Sequence, residues 1–125
     1  LDGTGATNLL IPTGTNRAGN VTVTWSSFVT AITGTATGIS VGDVITSIDY
    51  FAFKKVGGVS TISTISPSPT STLVTTPASY TSAILTYAVG ASQNLQMTYT
   101  APTFLGAGSV TVRVVAKVSL TEVSY

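Results

Sequence analysis

The chain carries four acids, Asp2, Asp43, Asp49 and Glu122. A glycosidase needs two carboxyl groups about 5–9.5 Å apart. Asp43 and Asp49 fall in one β-rich stretch, and on a single strand their spacing is roughly 20 Å. Asp43 fits a Gly42-Asp43 turn, and Asp49 fits a solvated or paired strand position. The chain has no His and no Cys, so the usual triads and thiolate dyads lack their base or nucleophile. A Ser–Lys pair stays open through Lys54, Lys55 or Lys117. Zinc sites want Cys or His, and calcium sites want clustered carboxylates that this spacing does not supply. Gly3-Thr-Gly5 and Gly106-Ala-Gly108 lack the strand, helix and lysine of a phosphate loop and read as turns. Arg17, Lys54, Lys55, Arg113 and Lys117 are scattered, and nucleic-acid binding needs a basic stripe. We therefore expect no catalytic residue, no metal site, no cofactor, no nucleic-acid partner and no enzyme activity.

Composition sets what can hold these residues in place. Charged residues make up 7% of the 125, against about 25% in an ordinary soluble domain. Mean hydropathy is +0.48, yet no apolar run approaches the ~18 residues of a membrane span. The polar surface must come from Ser and Thr, which favour strands and turns over helix interiors. A net charge of +1 offers little repulsion against association. Such a surface implies neighbours that cover it.

The elements read as strands. Ser109 to Thr121 puts Val110, Val112, Val114, Ala116, Val118 and Leu120 on one face. Thr111, Arg113, Lys117, Ser119 and Thr121 lie on the other, with Val115 the apolar exception. Val21, Val23 and Trp25 share a face of a second strand. Beyond Ser26-Ser27, Phe28 to Ile32 fits either a helical turn or a continuing strand. Val44 to Lys54 is apolar on both faces, as in a central strand. Gly57-Gly58 supplies the positive φ of a tight hairpin. The spacing of three at Val56, Val59, Ile62 and Ile65 indicates a bulged strand, and Ser66 to Thr70 an extended loop. Thr72 to Thr76 reads as a short strand. Tyr80 to Val89 and Asn94 to Thr100 form a hairpin with Leu85, Tyr87, Leu95, Met97 and Tyr99 inward. Gly38 to Asp49 looks like the G-L-x-x-G-D-x-I segment of PDZ domains but lacks their carboxylate-binding loop.

The expected fold is all-β: an antiparallel β-sandwich, jelly-roll-like, of about eight strands. Residues 1–20 form an extended N-terminal arm and 21–125 a single sandwich domain. The expected core includes Val21, Val23, Trp25, Leu85, Tyr87, Leu95, Met97, Val110, Val112 and Val114. The arm carries one apolar island, Leu9-Leu10-Ile11, closed by Pro12. We expect Leu9, Leu10 and Ile11 either to contact a second subunit by strand addition or to fold back onto the chain's own sheet. The final strand's even face is assigned to the subunit's own core. Tyr80, Phe104 and Tyr125 are the aromatic residues left for a sugar-binding platform.

Three segments carry a family likeness. Tyr80 to Tyr87 (YTSAILTY), Met97 to Phe104 (MTYTAPTF) and Gly108 to Val118 (GSVTVRVVAKV) together resemble small β-rich virion proteins of tailed bacteriophages: capsid decoration, head-fibre and tail-fibre types. The resemblance implies a non-enzymatic structural subunit in the virion, a homo-oligomer with a trimer as the expected order, and other virion proteins as partners. It carries no defined site residue. The alternatives are a subunit of an extracellular or cell-surface filament, pilus or surface layer, and a carbohydrate-binding module.

Overall fold

The computed structural model describes residues 7–9, 14–67, 71–73 and 84–125. Among them there is no helix, and the strands pair antiparallel throughout. Six strands run four residues or longer: β2 (Arg17–Gly34), β3 (Val44–Val56), β4 (Val59–Ile62), β7 (Ile84–Val89), β8 (Leu95–Thr100) and β9 (Gly108–Ser124). Three short pieces join them: β1 (Thr7–Leu9), β5 (Ser66–Pro67) and β6 (Ser71–Leu73). The long strands are thus fewer than the eight expected, because β2 and β9 each run far beyond an ordinary strand.

The larger sheet has the order β4-β3-β2-β9, and β5 and β6 also pair along β3. One edge of β3 is therefore served in turn by three short strands. The smaller sheet is β1-β8-β7. β7 and β8 are the expected hairpin, with Leu85 opposite Tyr99 and Tyr87 opposite Met97. The Gly57-Gly58 turn joins β3 to β4 with positive φ at both glycines. Pro67 pairs with Asp49 of β3 from a short edge strand, where a missing donor is tolerated.

Phe28 to Ile32 is strand, and the helical alternative fails. β2 and β9 stay paired from Arg17 opposite Ser124 to Gly34 opposite Gly108, with one shift between Val29 and Ala31. That shift is the bulge. Before it odd residues of β2 face inward, and after it Ile32 does. Phe28 points outward and is exposed. The bulge expected in Val59 to Ile65 is absent: β4 pairs without a break and ends at Ile62.

The inner faces of the two sheets share one core. Val21, Val23, Trp25 and Val29 of β2 meet Ile45, Phe51 and Phe53 of β3, and Leu85, Tyr87, Leu95, Met97 and Tyr99 from β7 and β8. Trp25 and Tyr99 pack edge to face at 6.5 Å, and Phe51 and Tyr87 lie 5.0 Å apart. The β7–β8 turn is pinned to β4, since Gln93 Oε1 accepts from the Ser60 amide at 2.8 Å and the Ser60 hydroxyl donates to the Gln93 carbonyl. Gly19 lies in the row between Phe53 and Glu122. A Cβ there would collide with the Thr121 carbonyl of β9 and come within 2.9 Å of the Phe53 ring, so glycine lets both neighbours approach β2 this closely.

β9 departs from expectation. None of its residues is fully buried. Val110, Val112 and Val114 are only partly buried against the core. Antiparallel neighbours share a face, so Val118 and Leu120 lie beside Val23 and Val21. The narrower second sheet covers that face at β2 and leaves it open at β9.

β2 begins at Arg17, inside residues 1–20. Thr7 to Leu9 pairs with Leu95 to Met97 of the same chain, as in the fold-back alternative. Leu9 sits opposite Leu95 in that register. Leu10 and Ile11 lie outside the described residues, as do Tyr80, Ala83 and Val74 to Thr76.

Candidate functional site

The acids among the described residues do not converge. Asp49 sits in the row of Val23, and Glu122 sits in the row of Gly19 on the far strand. Those rows are about 13 Å apart along β2 at roughly 3.3 Å per residue. Glu122 Oε1 is 3.5 Å from Arg17 Nη1, a long ion pair near one end of the sheet. Asp43 closes a turn, where its Oδ2 accepts from the Ser40 amide at 2.8 Å. Asp2 lies outside the described residues. Among the described residues no three potential metal-ligating acids cluster. Of the candidate lysines, Lys55 is set opposite Ser60, but that hydroxyl donates to the Gln93 carbonyl. A groove of about 400 Å³ beside Asn20, Thr22 and Tyr50 holds no charged side chain.

Asp49 is the polar hub of the core. It is buried, which overturns the solvated reading. Its Oδ2 accepts from Trp25 Nε1 at 2.8 Å and from Tyr87 Oη at 2.6 Å, and its Oδ1 accepts from Ser47 Oγ at 3.1 Å. These bonds join β2, β3 and β7, so one carboxyl group ties the two sheets together. Alternation put Trp25 and Tyr87 inside, but nothing in it showed that their polar tips need one common acceptor. A second tie is Ser27 Oγ to Tyr99 Oη at 2.6 Å.

Burial, the hydrogen bond to Asp49 and its charge all push the Tyr87 hydroxyl up from its ordinary value, burial most. The folded state therefore keeps this proton where the unfolded chain releases it. Above about pH 10 the unfolded state binds fewer protons, so stability falls with rising pH, by up to about 1.4 kcal/mol per pH unit from this group. Tyr87→Phe should remove that increment from the slope of urea-unfolding free energy between pH 10 and 11.5. An unchanged slope would contradict the assignment.

The remaining candidate is a surface. Among the described residues β9 pairs only with β2, so its other edge presents free backbone donors and acceptors. The exposed apolar side chains concentrate there: Val115 at 50%, Val118 at 40%, Leu120 at 38%, Val123 at 62%, and Tyr125 just beyond the strand at 65%. Native edges are usually blunted by charge, proline or a bulge. Here Arg113, Lys117 and Glu122 are the charges on a strand of 17 residues. The outer face of the long sheet adds Phe28, Ile48 and Tyr50. Of the aromatic residues considered for a sugar platform, Phe104 packs against the core, Tyr125 is exposed, and Tyr80 lies outside the described residues.

No protein-family model, curated protein or solved structure matches this chain. Among the described residues no helix is long and apolar enough to cross a membrane.

Proposed function

We propose that the chain is a non-enzymatic structural subunit of a virion, self-associating on a phage capsid or tail. In this reading its two sheets are the layers of a jelly-roll-like β-sandwich, and its partners are further copies of itself and other virion proteins. The observation that carries the reading is the long free edge of β9 with its exposed apolar side chains. A surface so poor in charge costs solubility, and burial in an assembly offsets that cost. The resemblance of the C-terminal segments to phage virion proteins agrees with it. The chemistry of the described acids is consistent with it, because Asp43, Glu122 and Asp49 serve a turn, an ion pair and a buried hub.

The test is to raise antibodies against the purified chain and image particles and cells of the source by immunogold labelling. Regular labelling of phage heads or tails is the expected result. Labelling of cell-surface filaments, with bare particles, would replace the virion reading with the extracellular filament one.

A further inference from the structure

We infer that two copies of this chain pair antiparallel through β9, about a two-fold axis passing through Ser119, joining their long sheets into one. The inference rests on the self-association part of the proposed function. Its basis is the spacing of the exposed side chains along an edge that no other described strand pairs.

A two-fold axis perpendicular to the sheet keeps each face continuous between copies, so odd residues meet odd and even meet even. With the axis at Ser119, Val118 meets Leu120 of the second copy, and Val115 meets Val123. Arg113 meets Tyr125, a cation set against a ring. Lys117 meets Thr121, and Glu122 meets Ala116. Every exposed apolar residue of the edge then has a partner, and no like charges face each other. Other registers match less well. An axis at Val115 sets Arg113 against Lys117, and one at Lys117 sets that lysine against itself. An axis at Val118 sets Val123 against Arg113, and one at Leu120 sets Val123 against Lys117, so the exposed apolar pair Val115–Val123 is lost.

Main-chain pairing supplies the attraction, and the apolar pairs set the register. The occupant is a second copy because the exposed pattern is its own complement.

The chain contains no cysteine, so Ser119→Cys places one thiol per copy on the axis. Mild oxidation of the full chain should close this variant into a disulfide-linked dimer. Thr121→Cys, on the same face but opposite Lys117, should cross-link at least tenfold less. Val115→Lys should weaken association at least tenfold in sedimentation equilibrium and leave the circular dichroism unchanged. A wild-type chain that sediments as a monomer at micromolar concentration overturns the inference. So does an assembly, a trimer included, in which Ser119→Cys cross-links no better than Thr121→Cys. The two proposals fail separately: a monomer that still decorates particles refutes only the pairing, and a cross-linked dimer found on no particle refutes only the virion role.

Discussion

Replacing Asp49 with alanine should destabilise the fold by about 3–5 kcal/mol, since it leaves three buried donors without an acceptor at about 1–3 kcal/mol each, partly relieved by relaxation. The substitution strands Trp25 Nε1, Tyr87 Oη and Ser47 Oγ, all of which donate to that carboxyl group. A domain of this size holds about 5–15 kcal/mol in total, so the variant should survive in the cold and melt roughly 10–20 °C earlier. Tyr87→Phe should cost only about 1–2 kcal/mol, because it removes one donor and leaves the acceptor with two others. The double variant should then cost less than the sum of the two singles, since their effects share one bond. Differential scanning calorimetry of the four proteins checks this. Additive costs would mean that Asp49 does not join the sheets through Tyr87.

The second large effect lies on the β2–β9 ladder. Val23 and Val118 are cross-strand neighbours on one face, yet Val23 is 0% exposed and Val118 is 40% exposed. Val23→Asp places a charge in the core without a partner, a cost that exceeds the stability of the domain. It should leave insoluble or unfolded protein. Val118→Asp should cost the fold about 1 kcal/mol, as an exposed substitution does, and leave a soluble monomer. Expression yield, circular dichroism and sedimentation separate the two outcomes. If Val118→Asp also fails to fold, the face shared with Val23 is covered at β9 as well as at β2.

That contrast also shows what alternation could and could not tell. Period two put Val21, Val23, Trp25, Leu95 and Met97 on inward faces, and all are buried. The same argument put Val110, Val112 and Val114 in the core, where they are only partly covered. Alternation identifies which residues share a face, but it carries nothing about the width of the sheet that packs on it. The width here is set by the short β1-β8-β7 sheet. The bulge in β2 had a local signal, the interval of three between Val29 and Ile32. The two hydroxyl residues after Trp25 hid it, because Ser27 reads as polar yet is buried through its bond to Tyr99. Asp49 had no signal, since its donors come from β2, β3 and β7 and only the fold brings them together. Leu9, Leu10 and Ile11 stand out locally, as an apolar island in a Gly/Thr-rich segment closed by Pro12. The free edge of β9 is a property of strand order, which one sequence does not encode locally.

Amide hydrogen exchange along β9, measured at two protein concentrations, tests the paired edge most directly. In a strand with one free edge, alternate amides face the neighbour and alternate amides face water. At high concentration the outward amides between Arg113 and Val123 should be protected, and on dilution below the dissociation constant they should exchange freely. Amides of β2, paired on both sides by β3 and β9, should stay protected at both concentrations. Outward β9 amides that exchange freely at every concentration, or that stay protected at every dilution, would contradict the pairing of two copies through this strand.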